Sequence, residues 1–101
     1  MKLIDVIIKE FLHIVKKLET SESVINDRII IEKEYFKKLL EKYDYMSFQE
    51  KTKVYKSLNF LIHDKNNYTL PCKDHKLKKT VRKVAINYST YEIVKKLYQD
   101  V

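Results

Sequence analysis

Six basic residues, Lys73, Lys76, Lys78, Lys79, Arg82 and Lys83, fall within residues 73–83 against a single acid, Asp74. The local net charge is +5 in a chain whose total is +7. Ammonium groups at this density neutralise phosphates and displace their counterions. Arg82 is the only arginine of the run, and its planar fork is suited to a bidentate contact with a base edge. His75 adds a contact whose charge depends weakly on pH. The partner that these residue types suit is a polyanion, double-stranded DNA first among them.

Other chemistry is poorly supported. Cys72-x-x-His75 has the spacing of a ligand pair, and His63 lies upstream, but a structural zinc site commonly needs a second pair, and none is present. No metal or other cofactor is therefore expected. The chain has no glycine, so a glycine-rich phosphate loop is impossible, and no nucleophile-elbow motif or carboxylate cluster stands out. An enzyme with a small-molecule substrate is not expected. Eight tyrosines could stack on unpaired RNA bases, yet Tyr35, Tyr43, Tyr55 and Tyr88 fall on faces expected in the core. No run approaches the length of a membrane span. Cys72 is alone and no export signal is visible, so a cytoplasmic protein is expected.

A charged segment between apolar, strand-like stretches is the tip of a hairpin. The flanking strands are expected at residues 68–72 and 80–88, with the loop at 73–79. Val84, Ile86 and Tyr88 alternate onto one face, and Pro71, which lacks an N–H, belongs at an edge. Upstream, Ser47-Phe48-Gln49-Glu50 is a capping box: the Ser47 hydroxyl takes the Glu50 N–H, and the Glu50 carboxylate returns to the Ser47 N–H. The helix that it opens is expected to run from 47 to 62. Phe48, Val54, Tyr55, Leu58, Leu61 and Ile62 form its inner face, and Gln49, Lys53, Lys56, Ser57 and Phe60 its outer face. Phe36, Leu39, Leu40 and Tyr43 mark a preceding helix at 33–43. Two helices joined by the short turn 44–46 form a helix-turn-helix candidate, whose Gln49 can pair with adenine and whose Lys53 and Lys56 can reach guanine or phosphate.

The remaining elements form a platform. Residues 28–32, with three successive isoleucines, suit a strand better than the alternative of one long helix across 23–43. Residues 3–18 are helical by spacing, and ten of the sixteen are apolar. An arc that wide needs covering on two sides. One side should pack on its own chain, and Leu3, Val6, Ile7 and Leu12 should meet a second copy, making a homodimer. Ser89-Thr90-Tyr91-Glu92 is a second capping box, opening a final helix with Ile93, Val94, Leu97 and Tyr98. Charge divides sharply between the halves: residues 1–46 carry nine bases and nine acids, and residues 47–101 carry twelve bases and five acids. Compositional drift toward lysine would not spare the first half.

The order helix, strand, helix, helix, strand, strand over residues 3–88 resembles the winged helix-turn-helix family. That resemblance implies an α+β fold in one domain over 1–101, with the helix at 47–62 in the major groove and the hairpin as a wing on the minor groove or backbone. The turn at 44–46 lacks the family's usual glycine. The recognition helix is only modestly basic, with Lys51, Lys53 and Lys56 against Glu50. The wing is therefore expected to contribute at least as much as the helix. A glycine-free chain of this length, with a long apolar first helix, a lysine-rich wing and an added C-terminal helix, also resembles the small accessory DNA-binding proteins of the relaxosome in clostridial conjugative plasmids. This implies a homodimer beside a transfer origin, assisting the relaxase complex. The other functions open to such a chain are a winged-helix transcriptional repressor, or a protein adaptor that uses the apolar first helix.

Overall fold

The computed structural model describes residues 2–99, a mixed α+β arrangement of four helices and a small antiparallel sheet. Helix α1 (Leu3–Glu19) is followed by strand β1 (Arg28–Ile31), helices α2 (Lys33–Glu41) and α3 (Phe48–Ser57), strands β2 (Leu61–Ile62), β3 (Leu70–Asp74) and β4 (Lys79–Asn87), and helix α4 (Tyr88–Gln99). The three-isoleucine run is a strand, as its β-branched composition favours.

Strand β4 is the spine. Its C-terminal half carries β1, with Ile31 opposite Val84, and β2, with Leu61 opposite Ile86. Its N-terminal half carries β3, from Leu70 opposite Lys83 to Asp74 opposite Lys79. Strand β2 stops opposite Ala85 and β3 starts opposite Lys83, so residues 63–69 form an excursion from a nearly continuous pairing. Simple alternation would leave Ala85 on an outer face. Instead Val84, Ala85 and Ile86 are all buried, because both faces of β4 are covered at this point.

The core is aromatic. Phe11 of α1 stacks on Phe60 with centroids 3.8 Å apart and meets Tyr55 and Tyr91 edge-on at 5.9 and 6.2 Å. Phe36 meets Phe48 and Tyr55 edge-on at 6.2 and 6.0 Å and stacks on Tyr68 at 6.1 Å. Each such pair adds about 0.5–1.5 kcal/mol to the burial of its area. Tyr91 is thus a core residue that spacing did not single out, whereas Tyr43, expected inside, is 37% exposed.

With no glycine, the backbone makes its left-handed turns elsewhere. Positive φ occurs at Asn26, Asp27, Asn59 and Lys78, and three of these are the residue types that tolerate it best. Asn26 and Asp27 together close a tight turn in which Ile25 and Arg28 exchange backbone hydrogen bonds of 2.9 and 3.1 Å. Helix α3 stops at Ser57, short of the expected boundary at 62, because the chain turns away at Asn59 (φ 60°). Phe60 then swings inward and is buried rather than facing outward, and Leu61-Ile62 join the sheet instead of a helix. Periodicity alone could not separate a helical continuation from this reversal, since the apolar residues satisfy either.

Two caps differ in detail from expectation. Ser47 Oγ accepts the Glu50 N–H at 3.2 Å, but the Glu50 carboxylate meets the Ser47 hydroxyl at 3.1 Å rather than the Ser47 N–H. Helix α4 starts directly from β4, with Asn87 Oδ1 accepting the Thr90 N–H at 3.2 Å, so Asn87 performs the capping expected of Ser89.

Candidate functional site

The basic run occupies the distal half of the β3–β4 hairpin. Lys73 lies on β3 opposite Thr80, Lys79 opens β4 opposite Asp74, and His75, Lys76 and Lys78 form the turn between them. All five side chains are exposed, and none takes part in an ion pair among the described residues. The turn is built by its one acid: Asp74 Oδ1 accepts the Lys76 N–H at 2.9 Å and the Leu77 N–H at 3.1 Å. These amides, that of Leu77 foremost, hold the Asp74 carboxyl below the usual carboxylate range, with the nearby ammonium groups of Lys83 and Lys76 adding to them. Lys78, with φ 53°, completes the reversal.

The other two bases of the run are engaged within the chain. Arg82, expected to read a base, is bound to its own chain while its side chain stays 36% exposed. Its Nε donates to Thr69 Oγ1 at 2.8 Å, its Nη2 donates to the Thr69 carbonyl at 2.9 Å, and the same nitrogen pairs with Asp64. Lys83 pairs with Glu32 at 3.1 Å, which raises its pKa. Both bases lie nearer the body of the protein, where the hairpin meets α2 and the 63–69 excursion. Burial and partners are available there but not at the tip.

On helix α3, Gln49 and Lys53 are exposed and Lys56 is half-buried. They line an open groove of about 300 Å³ whose opposite wall is Asn66, Asn67 and Tyr68. Lys51, counted with the helix's outward charge, is buried, with its side chain 1% exposed. Its Nζ donates to Glu10 Oε2 at 2.8 Å and to the Leu40 carbonyl at 2.6 Å, and lies 4.3 Å from the Tyr45 ring centroid. Tyr45 and Tyr55 both donate to Glu10 Oε1 at 2.7 Å. Burial, helped by the Glu10 carboxylate, pushes both phenols above their ordinary pKa. This network ties α1 to α3 and satisfies the C-terminal end of α2, where free carbonyls favour a cation. Helical spacing does separate Lys51 from Lys53 and Lys56, since it falls three residues after Phe48 and four before Tyr55 on the inner face, but its partner lies 41 residues away and carries no local signal.

Of the residues expected at a dimer interface, Leu3 is exposed, Val6 and Leu12 are partly covered, and Ile7 is buried in the chain's own core. Ile7 is therefore corrected to a core residue, because α1 turns that side toward its own chain. The largest exposed apolar side chains of the second half lie on α4, where Ile93 and Leu97 are 62% and 63% exposed and one helical turn apart. Leu12 and Lys16 of α1 line a groove with Tyr91, Lys95 and Tyr98 of α4.

Among the described residues no three His, Cys, Asp or Glu side chains lie close enough to hold a metal ion, and no helix is long and apolar enough to cross a membrane. No protein-family model matches the chain, and no curated protein matches it.

Proposed function

We propose that the chain is a sequence-specific double-stranded DNA-binding protein of winged helix-turn-helix type, acting as a homodimer through its α1 and α4 faces. One observation carries this reading. Four lysines and a histidine, all exposed and free of ion pairs among the described residues, sit together at the end of a two-stranded hairpin. A concentration of unpaired cations raises the potential where a polyanion would dock and is otherwise self-repulsive. Helices α2 and α3, with the turn between them, are the helix-turn-helix, and the β3–β4 hairpin is the wing.

The division of labour favours the wing. With Lys51 internal, α3 offers Lys53 and Lys56 against Glu50, a smaller outward charge than composition suggested. The resemblance read from the sequence points to a plasmid transfer origin as the DNA, with a relaxase nearby.

Titration against mixed duplexes at several salt concentrations tests the reading. Log affinity should fall linearly with log salt, and replacing Lys76, Lys78 and Lys79 by alanine should flatten the slope by about 0.9 for each phosphate that is no longer neutralised. Binding without duplex preference and without salt dependence would remove DNA as the partner.

A further inference from the structure

The 63–69 excursion does not form the connection that the flanking strands need. It leaves the β4 edge opposite Ala85 and returns opposite Lys83, using seven residues for an advance that one could make. It is also held firmly. Arg82 grips it through Asp64 and both the hydroxyl and the carbonyl of Thr69, and Thr69 is itself buried. Tyr68 packs edge-on against Phe48, at the start of α3, with centroids 5.7 Å apart. Between these anchors Lys65, Asn66 and Asn67 are exposed. Asn66 and Asn67 face Gln49, Lys53 and Lys56 across the groove.

The groove's lining has a consistent chemistry. Gln49, Asn66 and Asn67 supply carboxamide donors, Thr52 a hydroxyl, and Lys53 and Lys56 positive charge, while no carboxylate takes part. Donors and cations without acids suit the oxygens of a phosphodiester. The Thr52 hydroxyl already donates to the Gln49 carbonyl at 2.8 Å, so the donors left for a ligand are the amides and ammonium groups.

We infer that this groove seats one backbone strand of duplex DNA, with Asn66 and Asn67 as contact residues opposite α3 and Arg82 as the residue that positions them. The inference rests on the DNA-binding reading and adds a third element to helix and wing. Arg82 then acts on DNA without touching it. Its Nε and Nη2 are occupied by Asp64 and Thr69, and its work is to keep the excursion standing beside α3.

Salt-dependent duplex binding by single variants tests this, with a thermal melt on each to confirm folding. Asn66→Ala and Asn67→Ala should each weaken binding by about tenfold and leave the salt slope unchanged, since they remove hydrogen bonds and no charge. Arg82→Ala and Asp64→Ala should weaken binding alike, keep the wild-type slope, and together do no more than either alone. A direct phosphate contact from Arg82 predicts the opposite: a slope reduced by about 0.9 in Arg82→Ala, and unweakened binding in Asp64→Ala, where the arginine is released. That result, or wild-type affinity in both asparagine variants, overturns the inference while leaving the wing reading intact. Wild-type protein that binds no duplex overturns both.

Discussion

At the scale of single residues, Lys51 and Arg82 show how far a side chain's role can depart from its type. Both are basic residues near the proposed DNA surface; Lys51 is enclosed in the core, and Arg82, though its side chain is 36% exposed, is held by partners of its own chain. The Glu10–Lys51 pair is fully enclosed, so its net contribution to stability is small, whereas breaking it leaves an uncompensated charge. Lys51→Met should destabilise the fold by about 3–5 kcal/mol. Adding Glu10→Gln should recover much of that stability, because the amide oxygen still accepts from Tyr45 and Tyr55 and no buried charge remains. Urea denaturation of the two variants makes the comparison, and equal stabilities would show that the charge itself is unimportant. The sequence marks the exposed lysines of the wing well, because their density is local. Spacing places Lys51 on the inner face of its helix, between Phe48 and Tyr55, but nothing local names the partners of Lys51 or Arg82, which lie 41 and 18 residues away.

At the scale of elements, the strands and helices were largely legible, and their ends were not. The isoleucine run, the Ser47 cap and the two hairpin strands each carry a signal within a few residues. The end of α3 depends on Asn59 adopting a left-handed conformation that the following apolar residues do not demand. The start of α4 depends on Asn87 acting as both the last residue of β4 and a cap. The wing tip depends on Asp74 accepting two amides. A carboxyl whose folded pKa is depressed stabilises its turn above its unfolded value and loses that effect as pH falls through the folded value. The turn should therefore hold at neutral pH and loosen only below 3.8, the ordinary value for the group. The Lys76 and Leu77 amide proton shifts, followed through acid titration, should move together with the Asp74 carboxyl; shifts that stay constant would dissociate the turn from it.

At the scale of the whole molecule, the long axis spans 46 Å against 26 and 24 Å for the others. The proposed dimer faces on α1 and α4 leave Leu3, Ile4, Ile93 and Leu97 in solvent unless a second copy covers them. Ile93→Asp and Leu97→Asp should yield a folded monomer, seen as a halved mass in sedimentation, with weaker duplex binding because two wings no longer act as one ligand. An unchanged mass would place the dimer contact elsewhere. Ile7→Asp should unfold the chain instead, since that side chain belongs to the core. The passage of β4 into α4 without a connecting loop bears on this assembly. Nine residues of strand reach about 30 Å, and the chain has no glycine to serve as a pivot along the way. The hairpin tip and α4 are thus two ends of one stiff lever. In a dimer joined at α4, the distance and rotational phase between the two tips would be set by covalent geometry. Under the proposed function such a dimer would act as a gauge of helical repeat, accepting paired half-sites at one spacing and refusing those turned even part of the way around the duplex.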